Sequence, residues 1–303
     1  MNRNSAEEYA AIKLYENGNI VDSITINDSF HGIYLSQSHH NTIQNCTITG
    51  LGSGQIAKQG NGLHIYYSND NLLKNNQVNG TRDGMYFEYA NNNQIFNNTL
   101  SETRYGLHFM YSNDNHFKRN TFTFNTGGAA IMESSGNRLM DNQFIFNYGH
   151  KSFGLFLLSA NETVIEGNTF QLNQRGLYVD QSTNNLFKNN TIVNNQIGVE
   201  LWASSNKQTF TLNKIQDNTI PVFALGGQGD NHWSANHKGN NWGDAFPVLD
   251  LNQDGVGDEA VTYHSSLHEL IENQELTYLF LKSPGNSGLR KNQSIFQPIQ
   301  NDV

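Results

Sequence analysis

The sequence predicts an all-β fold, a right-handed parallel β-helix solenoid with 22-residue coils, and three periodic features carry that expectation. A glycine followed by alternating apolar residues recurs along the chain. Further apolar columns keep step with it, and an asparagine column marks one fixed point in each coil. Self-similarity at a period of roughly 20–50 residues is the signature of a stacked repeat.

The glycine motif reads Gly32-Ile33-Tyr34-Leu35, Gly62-Leu63-His64-Ile65, Gly84-Met85-Tyr86-Phe87, Gly106-Leu107-His108-Phe109 and Gly128-Ala129-Ala130-Ile131. It continues as Gly154-Leu155-Phe156-Leu157, Gly176-Leu177-Tyr178-Val179 and Gly198-Val199-Glu200-Leu201. From Gly62 onward the spacings are 22, 22, 22, 26, 22 and 22 residues; Gly32 lies 30 before Gly62, with an insertion around Gly50–Gln59. Eleven residues after the glycine stand Ile43, Leu73, Ile95, Phe117, Leu139, Ile165 and Phe187, and sixteen after it Ile48, Val78, Leu100, Phe122, Phe144, Phe170 and Ile192. Each stretch alternates in and out with a period of two, which is strand behaviour. Three short strands joined by turns make one coil. Coils stack at the ~4.8 Å spacing of paired strands, so about nine give a rod of roughly 40 Å. No coil buries its apolar face alone, so neighbouring coils supply the core.

Fourteen residues after the glycine stand Asn76, Asn98, Asn120, Asn142, Asn168 and Asn190. Asparagine tolerates the left-handed backbone of a tight bend and its amide can bond along the rod, so this column is expected to form the turn. Cys46 fills the same slot in an earlier coil and reads as an inert buried thiol; it is the sole cysteine, so no intrachain disulfide forms. After Trp202 the pattern loosens. Gln208–Phe210 and Asn213–Ile215 fit one more coil with an extra residue, and Asn19–Ile26 fit part of a preceding one. The expected organisation is a parallel β-helix over residues 1–216, a C-terminal cap over 217–285 and a disordered tail over 286–303. The repeat starts so close to Met1 that further coils or a partner are expected to cover that end.

In the cap, Asp250, Asn252, Asp254 and Asp258 with Gly255 between them are spaced like the oxygen donors of a Ca²⁺ loop. Val261 stands where such a loop has its bidentate Glu, so a metal-free turn is the competing reading. Ser266-Leu267-His268-Glu269 is a capping box opening a helix to about Lys282, whose apolar side would cover the open end of the solenoid. His264 and His268, four apart, read as surface residues.

Strand alternation points the residues two and four after each glycine outward. These columns contain His64, Tyr66, Tyr86, Glu88, His108, Met110, Met132 and Phe156, where a bland solenoid would carry Thr, Lys and Asn. Such a surface suits a partner protein. His108, Met110 and Met132 fall in adjacent coils, and imidazole with thioethers suits Cu(I); simple surface packing is the alternative. Arg82 and Arg104 each precede a glycine by two, with Glu88 and Glu102 nearby in sequence, which leaves a polysaccharide lyase or epimerase open as a second reading. A non-catalytic carbohydrate-binding protein is a third. Nucleophile-elbow, phosphate-loop and paired-cysteine motifs are absent from the sequence. A net charge of −9 argues against a general nucleic-acid binder. No apolar run approaches the roughly 18 residues of a membrane span. Met1–Ala10 lacks the basic and apolar stretches of a signal peptide, so the chain is expected to be either cytoplasmic or a mature or truncated form of an exported protein.

The segment Arg104-Tyr105-Gly106-Leu107-His108-Phe109-Met110-Tyr111-Ser112-Asn113-Asp114-Asn115 resembles NosD proteins, and Gly62–Asn71 is a second version of it. Asn241-Trp242-Gly243-Asp244, the Asp250–Asp258 loop and the late Lys282-Ser283-Pro284 are also similar to that family. The resemblance covers roughly residues 20–285. It implies an exported, periplasmic accessory factor without turnover of its own. Its partners would be an ABC transporter (ATPase plus permease), a copper-chaperone lipoprotein and nitrous oxide reductase, whose copper–sulfur centre it helps to assemble. Tyr111, inside the resembling segment, joins the expected partner face. The signal peptide and the earlier coils of such proteins are the two departures.

Overall fold

The computed structural model describes residues 9–51, 58–149, 151–225, 230–243 and 251. Over these residues the chain is a parallel β-helix. A first sheet stacks ten strands, most of six residues, from β1 (Ala10–Leu14) and β4 (His31–Ser36) to β28 (Ile220–Leu225). The second and third sheets each stack nine three-residue strands, for example β11 (Gln94–Phe96) and β12 (Thr99–Ser101). All pairings between named strands are parallel and fall on the repeat, so Ile95 sits beside Leu73 on one side and Phe117 on the other.

The predicted apolar columns form the core. Ile43, Leu73, Ile95, Phe117, Leu139, Ile165 and Phe187 are buried, as are Ile48 through Ile192 in the other column. Phe122, Phe144 and Phe170 stack face to face with 4.8 Å between successive ring centroids. At the far end of another stack, Trp233 lies on Phe210 at 4.4 Å and covers that ring. The motif glycine is required by close approach: a Cβ on Gly106 would lie 2.7 Å from the carbonyl oxygen of Gly128 and 2.7 Å from the Phe122 ring.

The asparagine column differs from expectation. The left-handed residue is the one before it, at Asn75, Asn97, Arg119, Asp141, Gly167 and Asn189, all with φ between 54° and 70°. The predicted asparagines are instead buried inside the bend, where their amides build a ladder. Asn98 shows the pattern. Its Oδ1 accepts from the backbone N–H and the Nδ2 of Asn76 at 2.9 and 3.0 Å, and its Nδ2 donates to Leu73 O at 3.0 Å and Asn120 Oδ1 at 2.9 Å. All four hydrogen-bonding sites of the side chain are thereby used.

The ladder runs on through Asn142, Asn168, Asn190 and Asn213 to Asn240. A second ladder, Asn41-Asn71-Asn93-Asn115-Asn137, and a third, Asn125-Asn147-Asn173-Asn195-Asn218, line the other two corners. These two went unread in the sequence because Thr163 interrupts one and Thr81 and Thr103 begin the other. Cys46 caps the first ladder, its backbone N–H donating to Asn76 Oδ1 at 3.0 Å. Burial pushes its thiol above the ordinary range.

The repeat continues past residue 216. β28 pairs with β25 (Ile197–Trp202), and His232 and Asn241 bridge back to Thr209 and Lys214. The glycine signal is lost there because Pro221 takes the glycine's place. That column's amide elsewhere donates to the following coil, as Gly62 N does to Asp83 O at 2.9 Å; in the last strand of the sheet a proline sacrifices no such bond. Contacts divide the chain into a unit running to Asn241 and a second, Trp242–Val303. The Asp250, Asn252, Asp254 and Asp258 loop, the helix expected from Ser266 and the tail lie outside the described residues.

Two outcomes follow. Asn120→Leu, which strands the buried amides on either side, should lower the unfolding free energy by about 3 kcal/mol in a denaturant titration. Cys46 should react with an aromatic disulfide reagent only after denaturation; rapid labelling of the folded chain would contradict its burial.

Candidate functional site on the outer face of the first sheet

The outward columns of the first sheet are packed against one another and are less open than strand alternation implies. Tyr34, Ala130 and Glu200 are buried, while His64, Tyr86, His108 and Phe156 are half-buried. The cause is ring packing along the rod. Tyr34, His64, Tyr86, His108, Tyr105, Phe153, Phe156, Tyr178 and Trp202 form an unbroken chain of neighbours with centroids 4.4–6.3 Å apart. Gly127 makes the middle of this chain possible, because a Cβ there would lie 2.5 Å from the Phe153 ring and 2.8 Å from Tyr105.

One strand turn away, Tyr67, Tyr89 and Tyr111 form an exposed stack at 4.6 and 5.0 Å, and Tyr66 packs edge-on against Tyr67 at 4.7 Å. The expected partner-face residues His64, Tyr66, Tyr86, Glu88 and Tyr111 therefore fall in one neighbourhood. Phe156 lies beyond Gly127, in the second half of the face. Tyr86 Oη donates to Glu88 Oε2 at 3.3 Å, and burial followed by that carboxylate keeps the phenol far above its usual range.

An ion cluster that sequence reasoning did not identify lies beneath the rings. Asp83 is 2% exposed and receives Arg104 through Nε at 2.9 Å and Nη2 at 2.6 Å. His108 Nδ1 sits 3.1 Å from Asp83 Oδ2. Burial alone would raise the Asp83 carboxyl, but the hydrogen bonds from His108 and Arg104 outweigh it and hold the group below the usual carboxylate range. An ionised Asp83 can only accept, so in this contact Nδ1–H of His108 donates to the carboxylate; Arg104 Nη2 also lies 3.2 Å from the same nitrogen. Its Nε2 makes no hydrogen bond among the described residues. Nothing in the repeat marks Asp83, because the residue before the glycine varies freely: His31, Asn61, Tyr105, Gly127, Phe153, Arg175 and Ile197.

The structure places His108, Met110 and Met132 on this same face. Met110 and Met132 are direct cross-strand partners, and His108 lies two residues from Met110 on the same side of the strand. A histidine whose Nδ1–H is held by a carboxylate and whose Nε2 is free is the usual form of a metal-ligating imidazole. Among the described residues no group of three or more His, Cys, Asp or Glu side chains converges as a metal site. The donor set on offer is thus one imidazole with two thioethers, which fits a soft ion such as Cu(I).

Of the residues that left a sugar-polymer chemistry open, Arg104 is bound to Asp83, and Arg82 and Glu102 are exposed. His64 and His31 stay neutral: burial, with His31 nearby, pushes His64 down to about 3, and burial pushes His31 down to about 4. Farther along the face, Arg175 pairs with buried Glu200, and Trp202 Nε1 donates to Glu200 Oε1 at 3.1 Å.

Solved structures share the fold. A substituted form of the periplasmic alginate epimerase AlgG matches with a TM-score of 0.59 at 14% identity, over 70% of this chain and 58% of that one. The A-module of the Azotobacter vinelandii mannuronan C-5 epimerase AlgE4 matches at 0.56 and 16%, over 70% and 66%. PfbA, a surface adhesin of Streptococcus pneumoniae, matches at 0.56 and 14%, over 71% and 64%. The chain thus spans 58–66% of these structures' own lengths. No curated protein matches it in sequence. Among the described residues, no helix is long and apolar enough to cross a membrane. The family model described as periplasmic copper-binding protein (NosD) matches residues 52–245, more than half of the sequence and all of the outer-face clusters from Asp83 to Trp202, and the chain belongs to the NosD family.

Proposed function

We propose that this chain is an extracytoplasmic accessory protein for copper-centre assembly, serving the maturation of the copper–sulfur site of nitrous oxide reductase. The single observation that carries this reading is the match to the copper-binding NosD model over residues that include the His108, Met110 and Met132 face. Cu(I) bound there would be held by Nε2 of His108 and the two thioethers, with Asp83 fixing the imidazole tautomer and Arg104 holding Asp83 ionised. The aromatic rows around it are rich in Tyr and poor in Lys, and Met110 and Met132 lie among them, the composition of a docking surface. An ABC transporter, comprising ATPase and permease, and a copper-chaperone lipoprotein are the partners proposed for it.

A lyase or epimerase acting on an acidic polymer is the second reading, favoured by the grouping of Arg104, His108, Tyr86 and Tyr105 on one face. Against it, the Nε and Nη2 of Arg104 already bind Asp83, and a substrate carboxylate would have to compete for them.

Anaerobic Cu(I) titration against a competing chelator tests the first reading. Stoichiometric binding that is lost in His108→Ala/Met110→Ala/Met132→Ala is expected; no binding by the wild-type chain removes the copper site. Asp83→Asn should weaken Cu(I) affinity by about 10–100-fold without abolishing it, with the circular dichroism spectrum unchanged. Incubation with oligomannuronate should produce no absorbance from unsaturated ends. Its appearance, and its loss in Arg104→Ala, would establish the second reading.

A further inference from the structure

The third sheet turns a chemically different face to solvent. From β3 (Thr25–Asn27) through β24 (Thr191–Val193), the outward positions hold only Thr, Ser, Asn, Gln, Ile and Val. The first ionisable residue is Lys214, in the last strand of that sheet. The second sheet, built on the same repeat, carries Asp22, Lys74, Lys118, Arg138, Glu166 and Lys188 at its outward positions. Strand propensity is common to both sheets, so it does not explain why one of them lacks charge.

The described surface has a shallow concavity of about 290 Å³ on this uncharged face, lined by Thr47, Thr49, Gln77, Asn79, Thr99 and Ser101 with Ile48 and Val78 at its floor. The outward residues lie in register across three strands, Thr47 beside Gln77 beside Thr99, and Thr49 beside Asn79 beside Ser101. Asn79 Nδ2 donates to Ser101 Oγ at 3.0 Å. The side chains of Thr47, Thr49, Gln77 and Thr99 make no hydrogen bond among the described residues, so their donors and acceptors all face outward.

The chemistry of the face selects its ligand by elimination. Nucleic acid or an acidic polymer needs cations, and the lining of the concavity has none. A protein interface needs an apolar centre; the only apolar side chains of the concavity, Ile48 and Val78, are buried at its floor, and the exposed Phe124, Phe146 and Leu172 beside later strands of the sheet lie outside its lining. Stiff β-branched hydroxyls and short amides, repeated every ~4.8 Å along the rod, match a chain of neutral hydroxyl groups that both donate and accept. Threonine methyls offer apolar contact to the C–H face of a sugar ring. We propose that this face of the third sheet, centred on the concavity between Thr47 and Ser101, binds a neutral oligosaccharide. The site is separate from the copper face and does not rest on the reading given to it.

Isothermal titration of the full chain with cellohexaose, laminarihexaose, maltohexaose and an oligomannuronate tests the proposal. Saturable binding of at least one neutral hexasaccharide is expected, with the oligomannuronate at least about tenfold weaker. Thr47→Val/Thr49→Val/Thr99→Val keeps the side-chain shape, removes the hydroxyls and should weaken binding about tenfold or more. Should that variant fold poorly, Gln77→Lys puts a charge at an exposed position in the concavity and should have the same effect. The proposal is overturned by an absence of binding to all three neutral sugars, by equal affinity for the oligomannuronate, or by wild-type affinity in the variants.

Discussion

The stacked side-chain amide is the interaction on which the rest of this molecule depends. A triangular coil must bend three times, and each bend turns backbone groups toward an interior that water does not reach. Buried donors and acceptors left without partners cost about 1–3 kcal/mol each. At most corners an asparagine supplies two donors and two acceptor positions, and the next coil presents the same set one strand spacing away. Asn98 uses all four. Because the same solution repeats coil after coil, the three corners stay in line and the apolar columns stay in register.

That interior regularity leaves the exterior free to vary. The three sheets share one backbone repeat and differ outside: rings, methionines and buried ions on the first, charges of both signs on the second, mostly neutral hydroxyls and amides on the third. On the first sheet the rings need support, and they obtain it from one another. Where Gly127 and Ala130 remove side-chain bulk, Tyr105 and Phe153 close the gap at a centroid distance of 5.5 Å. Beneath them the Asp83–Arg104–His108 cluster and the Arg175–Glu200 pair place charge at low exposure. Such pairs seldom add net stability, since desolvation offsets much of the attraction. Their presence on a face otherwise built for packing is best understood through what they orient: His108 in one case and Trp202 in the other.

Much of the fold was legible in the residues, and the reason is stacking. Each inward position meets its own copy from the neighbouring coil, so the core constraint is written into the sequence at intervals of 22, with Gly106 and Phe122 recurring as a pair that must fit together. Legibility failed where one coil departs from the rest. Pro221 erased the glycine signal although the strand persists, and Thr163 masked the second asparagine ladder. The turn was misassigned by one residue because left-handed backbone and a buried amide both favour asparagine, and adjacent Asn75 and Asn76 fill one role each.

The sequence by itself determined the solenoid, its repeat, its core columns and the presence of His108, Met110 and Met132 on one outward face. It did so because those features follow from strand alternation and from identical neighbours one repeat away. Only the tertiary structure decided how the outer side chains meet. Asp83 reaches His108 from 25 residues away, in the preceding coil, and the Tyr105 ring reaches Phe153 across a glycine. These contacts depend on side-chain direction between coils, and alternation fixes which face a residue occupies without fixing where its atoms end.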